Sequence, residues 1–186
     1  MRHPTFANVG HGHGHGPERA RSLRNRRLRA RWGRRFAERS EEIQYPRVLL
    51  VGSPNVGKSV LFHRLTGVYV TVSNYPGTTV EISRGYMHVA GREIEVVDTP
   101  GMYSLRPVGE DERVSLDILL HERADVIVHV MDAKNLSRML CLTLELMETG
   151  IPLVAVGNMA DEARRYGISI NRELIEERLG APFLMM

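Results

Sequence analysis

Gly52-Ser53-Pro54-Asn55-Val56-Gly57-Lys58-Ser59 fits the pattern G-x-x-x-x-G-K-[ST], in which successive backbone N–H groups converge on phosphate oxygens. The flanking residues supply the context this chemistry needs. Arg47 to Gly52 is an apolar, β-branched run that reads as a buried strand. Lys58 to Leu65 reads as the start of a helix, whose positive dipole end faces the anion. In that frame Gly52, Ser53, Pro54, Asn55, Val56, Gly57 and Val60 build the phosphate cradle. Lys58 reaches the β- and γ-phosphates, and the Ser59 hydroxyl ligates Mg²⁺. This loop by itself serves ATP and GTP equally.

From Arg47 onward, short apolar runs alternate with helical patterns. Strands are expected at Arg47 to Gly52, Val80 to Val89, Glu93 to Asp98, Val126 to Met131 and Pro152 to Gly157. Helices are expected at Lys58 to Leu65, Asp111 to His121, Asn135 to Glu148 and Asn171 to Leu179. A turn at Gly91-Arg92 makes one antiparallel hairpin, while the helix-length connections elsewhere imply right-handed crossovers. The expected fold class is an α/β domain of the P-loop NTPase type. Its sheet is doubly wound and mostly parallel, with one antiparallel edge strand, and the ligand lies at the carboxyl ends of the strands. The apolar run Ala181 to Met186 reads as the beginning of a further strand, so the domain is expected to be incomplete within this chain.

Three more segments sit at predicted strand ends. Asp98-Thr99-Pro100-Gly101 follows the third strand. Asp98 there can hold Mg²⁺ through water, and the Gly101 N–H can contact a γ-phosphate and sense its presence. Between this segment and the loop lies Ser73-Asn74-Tyr75-Pro76-Gly77-Thr78-Thr79-Val80-Glu81. A threonine in this stretch can complete the Mg²⁺ shell, and both Thr78 and Thr79 are available. Asn158-Met159-Ala160-Asp161 follows the fifth strand. The Asp161 carboxylate can accept from guanine N1–H and N2–H₂, donors that adenine lacks, so it would select guanine. Asn158 would brace the loop, and the Met159 thioether can pack on a flat base.

The composition, with 42% hydrophobic and 25% charged residues in 186, is that of a soluble globular chain with one sizeable core. No apolar run approaches a bilayer span. The single cysteine, Cys141, excludes an internal disulfide and is expected to be a small buried hydrophobe. Charge is divided unevenly. Residues 1 to 46 carry eleven arginines against four glutamates, a balance of +7, whereas the remainder carries −4. A boundary is therefore expected near Pro46, with residues 1–45 a disordered or partly helical extension and 46–186 the nucleotide domain. Within the extension, His3 and the tract His11-Gly12-His13-Gly14-His15-Gly16 form either a metal-binding stretch or a simple tail. Leu28, Trp32 and Phe36 recur at spacing four among arginines. Residues 18–42 would thus lie on an anionic membrane surface, contact nucleic acid or simply be solvated; nucleic acid is the least favoured of these.

The four segments in this order resemble the small GTPase domain at the N-terminus of the ferrous iron transport protein B family. Besides the loop, the resemblance is carried by Asn74-Tyr75-Pro76-Gly77-Thr78-Thr79-Val80-Glu81 and Asp98-Thr99-Pro100-Gly101-Met102-Tyr103-Ser104-Leu105. It extends through Asp132-Ala133-Lys134-Asn135-Leu136 and Asn158-Met159-Ala160-Asp161-Glu162-Ala163. It implies a Ras-like G domain that binds GTP or GDP with Mg²⁺ and K⁺ and hydrolyses GTP in a ferrous iron uptake system. It assigns Thr79 rather than Thr78 to Mg²⁺, beside Ser59 and Asp98, and makes Asn55 a K⁺ ligand. Lys58, Thr79, Gly101 and Asn55 become the catalytic set. Met102 stands where many GTPases carry a water-orienting glutamine, so slow intrinsic turnover is expected. The implied partners are a helical domain and a membrane permease, and the implied location is the cytoplasmic face of the membrane. A GTPase of ribosome assembly or RNA modification is the alternative reading, and a truncated, non-hydrolysing remnant the other. The N-M-x-D-E-A and G-x-Y-S-L patterns argue against the first of these.

Overall fold

A computed structural model describes residues 45–67 and 70–186. The histidine tract and the arginine-rich segment with Leu28, Trp32 and Phe36 lie outside the described residues. Strands β1 (Arg47–Val51), β2 (Val70–Asn74), β3 (Glu81–Val89), β4 (Arg92–Asp98), β5 (Val126–Asp132), β6 (Leu153–Asn158) and β7 (Phe183–Met185) form one seven-stranded sheet in the order β2-β3-β4-β1-β5-β6-β7. The helices are α1 (Lys58–Thr66), α2 (Glu110–His121), α3 (Leu136–Met147), α4 (Ala160–Arg165) and α5 (Arg172–Leu179). A 3₁₀ turn at Ala133–Asn135 leads into α3.

β4, β1, β5, β6 and β7 are parallel, and β3 runs antiparallel to both β4 and β2. The doubly wound, mostly parallel P-loop fold is thus present, with an antiparallel edge. That edge is wider than expected because β2 adds to it. Residues 71 to 74 of β2 are all exposed, so the strand has no buried face to mark it in the sequence and rests on its backbone ladder with β3. The β3–β4 hairpin turns at Ala90 and Gly91, one residue earlier than expected. Both have positive φ, 50° and 75°, as a two-residue type I′ turn requires, and Arg92 already pairs with Val89.

The two faces of the sheet bury different clusters. Leu49, Val51, Ile127 and Met131 pack with α2 through Val114, Ile118 and Leu119, and with α3 through Leu142 and Leu146. Val48, Leu50, Val96 and Val130 pack with α1 through Leu61 and Phe62. Cys141 is exposed, contrary to expectation. The buried stripe of α3 runs through Leu142, Thr143 and Leu146, and Cys141 falls on the opposite side with Leu144 and Glu148.

At the end of the sheet away from the loop, four charges close a ring. Arg47 Nε meets Glu95 at 2.5 Å and its Nη1 meets Glu122 at 3.2 Å, while Arg84 reaches Glu122 at 2.5 Å and Glu95 at 3.5 Å. This ring ties β1, β3 and β4 to the C-terminal cap of α2. Glu122→Ala would leave two guanidinium groups sharing one carboxylate in a half-buried site. Stability is expected to fall by about 2 kcal/mol, checked by the urea midpoint at constant slope.

Candidate functional site

The registers Leu50 with Asp98 and Asp132 with Asn158 place four strand ends side by side along one edge of the sheet. The strand order reverses at β1, so the edge carries a crevice there. Gly52 leaves β1 where a Cβ would stand 2.2 Å from the Val130 carbonyl oxygen. Asn55 and Gly57 both take left-handed conformations, φ 61° and 88°, which turn the chain into α1. Asn55 is exposed at the rim, and its side chain makes no hydrogen bond among the described residues. Pro54 and Asn55 line a cleft of about 320 Å³ shared with Asp132 and Arg138. Ser53 and Val56 are buried, whereas Val60 is exposed.

Lys58 is buried and donates through Nζ to Gly52 O at 3.1 Å and Ser53 O at 3.0 Å. Burial pushes its pKa down, opposed by the Asp98 carboxylate. Asp98 is raised by burial, against the Ser59 hydroxyl hydrogen bond and the charges of Lys58 and His63. Its Oδ1 is buried with no hydrogen-bond partner among the described residues. An orphaned, buried carboxylate oxygen beside a serine hydroxyl fits a hard divalent cation.

The D-T-P-G segment is fastened to β1 and the loop. Thr99 Oγ1 donates to Leu50 O at 2.8 Å, and Met102 N to Gly52 O at 3.1 Å. Gly101 is required by close approach, because a Cβ there would meet the Pro54 ring at 2.5 Å. Pro100 O accepts from Ser115 Oγ on α2 at 2.7 Å. Met102 is wholly buried among the residues packed on α2 and α3, so its thioether does not face the crevice.

The two threonines differ. Thr78 Oγ1 donates to Tyr75 O at 3.0 Å and accepts from Val80 N at 3.2 Å, within the turn that Gly77 allows with φ 79°. The Thr78 hydroxyl is therefore engaged, whereas Thr79 is exposed.

At the end of β6, Asn158 Nδ2 donates to Val56 O at 2.9 Å, joining the N-M-A-D segment to the 52–59 loop. Met159 adopts φ 61° and caps α4, a short helix absent from the sequence expectations. Asp161 lies in the first turn of α4 with its carboxylate largely exposed, 3.9 Å from Arg165. Lys134 Nζ pairs with Glu162, so the 3₁₀ turn clamps this helix from the β5 side. Asn158→Ala removes this side-chain link between the two loops. Stability is expected to fall by about 1 kcal/mol, checked by the urea midpoint, on the order of one lost hydrogen bond.

The sequence profile of the family described as ferrous iron transport protein B matches residues 46–186. The Fe(2+) transporter FeoB of Synechocystis is 40% identical over 136 residues, 73% of this chain and 22% of that protein. The chain spans about a fifth of the length of the curated relatives it matches. The cytosolic domain of L. pneumophila FeoB superposes with a TM-score of 0.73 at 39% identity, covering 75% of this chain and 62% of that one. The cytosolic domain of the T. maritima FeoB iron transporter, solved in GDP and GMPPNP forms, gives 0.72 at 38% identity, covering 76% of this chain and 57% and 56% of those.

Proposed function

The chain belongs to the ferrous iron transport protein B family, and from that premise we propose that residues 46–186 are the GTP-binding and GTP-hydrolysing switch domain of a ferrous iron uptake system. Residues 1–45 are then an extension of that domain. The observation that carries the reading is the convergence of Lys58, Ser59 and the orphaned Asp98 Oδ1 on one sheet edge with the Asn158–Asp161 segment. The GDP and GMPPNP forms of the T. maritima domain support the choice of guanine nucleotide.

The roles follow from the donors and acceptors present. Backbone N–H groups of residues 53 to 59 and the Lys58 ammonium bind the phosphates. Ser59, Asp98 and Thr79 would hold Mg²⁺, which supplies charge neutralisation at the phosphates; Thr79 suits the task because Thr78 is already committed within its turn. The Asn55 amide, exposed at the rim, would hold K⁺, which supplies positive charge of the kind an arginine finger gives. Gly101 N–H donates to the γ-phosphate, with Pro54 packed against its Cα side. Asp161 accepts from the guanine edge, and Met159 packs on the base. A buried Met102 leaves no side chain at that position to orient water, so turnover without a partner is slow. The domain would then act from the cytoplasmic face of the membrane on a helical domain and permease. Among the described residues, no helix is long and apolar enough to cross a membrane.

Thermal melts with GDP, GTP and ADP test the reading. At a hundredfold excess over Kd a guanine nucleotide adds roughly 2.7 kcal/mol to folding stability, and ADP adds nothing. Equal shifts with GDP and ADP, or none with either, overturn it. Phosphate release from GTP is expected to slow when Na⁺ replaces K⁺, and equal rates in both salts would remove Asn55 from the site.

A further inference from the structure

Tyr75 is the keystone of the turn that presents Thr79. Its N–H donates to Val80 O at 2.8 Å, and its carbonyl accepts from both Thr78 N and Thr78 Oγ1 at 3.0 Å. Its side chain leaves the turn, packs beside the core under α2 and donates its hydroxyl to Asp117 Oδ2. The other carboxylate oxygen, Asp117 Oδ1, lies 2.6 Å from His121 Nδ1, and the Asp117 carbonyl lies 3.2 Å from the same nitrogen. Both of these oxygens are acceptors that an Nδ1–H can meet, so the carboxylate is held from its far side. Asp117 is therefore an oriented acceptor, fixed on α2, for a hydroxyl 42 positions earlier in the chain. The same helix grips the D-T-P-G loop through Ser115 and Pro100 O, and its Glu112 accepts from Tyr103 N. One helix thus holds the segment bearing Thr79 and the segment bearing Gly101.

We propose that Tyr75 and Asp117 are positioning residues: the Tyr75–Asp117 hydrogen bond sets the Thr78–Thr79 turn so that Thr79 meets the Mg²⁺-bound triphosphate. This rests on the reading of Thr79 given above. The bond adds nothing to the grip on a diphosphate, since Thr79 senses the γ-phosphate. Its loss therefore moves the preference for triphosphate over diphosphate, not nucleotide binding as a whole.

The experiment measures affinities of this chain for GMPPNP and GDP, with Mg²⁺ present, in Tyr75→Phe, Asp117→Ala, Asp117→Asn and the Tyr75→Phe/Asp117→Ala pair. Tyr75→Phe and Asp117→Ala are each expected to lower the GMPPNP-to-GDP affinity ratio about tenfold, the order of one hydrogen bond to a carboxylate, with GDP affinity changed less than twofold. Asp117→Asn keeps an acceptor oxygen and is expected to recover part of the ratio. The double variant is expected to be no worse than either single one. Thr79→Ala runs beside them. If it leaves the ratio unchanged, the assignment of Thr79 fails. If it lowers the ratio while Tyr75→Phe does not, the positioning role alone fails. Additive losses in the double variant, or GDP affinity falling in step with GMPPNP affinity, also overturn the positioning role.

Discussion

Asp161→Asn is expected to weaken GDP and GTP binding by roughly 10²–10³-fold and to turn the preference toward xanthine nucleotides. Guanine presents two donors to this position, N1–H and N2–H₂, and a carboxylate accepts both. An asparagine keeps one acceptor and offers an NH₂ against a donor. Xanthine, with a carbonyl in place of the exocyclic amine, matches that amide instead. The turn at Met159 and the Asn158 bond to Val56 O fix the position of the Asp161 segment relative to the 52–59 loop, as the proposed role would need. Its ion pair with Arg165 is long and solvent-exposed, so it competes little with a ligand. Competition titrations with GDP and XDP check the outcome, and an unchanged GDP Kd removes Asp161 from base recognition.

Gly52→Ala is expected to destabilise the domain by about 3 kcal/mol, with a melting temperature lower by roughly 10 °C. The added methyl group would stand 2.2 Å from Val130 O and 3.4 Å from Val56. Neither neighbour can yield cheaply. Val130 sits in β5, paired with β6 opposite Val156, and Val56 is buried in the cluster that includes Phe62. Relief therefore requires β1 and β5 to separate at the crevice itself. GDP binding falls together with stability, whereas Asp161→Asn loses guanine without melting early. A melt of Gly52→Ala indistinguishable from the parent would mean that the β1–β5 edge yields more readily than this packing allows.

Much of the candidate site was legible as a grouping of strand ends because its residues are fixed by local spacing. Lys58 and Ser59 follow a strand and open a helix, and Asp98 and Asn158 close strands whose apolar runs end beside them. What escaped the sequence was contact between distant segments. Nothing in D-x-x-G says that Gly101 lies under the ring of Pro54, and nothing near Tyr75 points to Asp117. Thr78 and Thr79 look alike in a row of letters; the resemblance singled out Thr79, and the physical difference, the turn hydrogen bonds that engage Thr78, came only from the structure. Among the elements, β2 lacked a buried face and α4 spans six residues, too few for a helical period to repeat. Cys141 was misread because its residue type suggested burial while its position on α3 put it outside the packed stripe.

The Lys58 ammonium holds two carbonyl oxygens of its own loop, Gly52 O and Ser53 O. A phosphate oxygen seeking that ammonium enters a competition with an intramolecular rival that never diffuses away. Part of the ligand's attraction goes into exchanging those partners, and departure is helped because the carbonyls are ready to take the ammonium back. The loop is thus its own first ligand, and this built-in exchange suits a nucleotide that must be released as well as held.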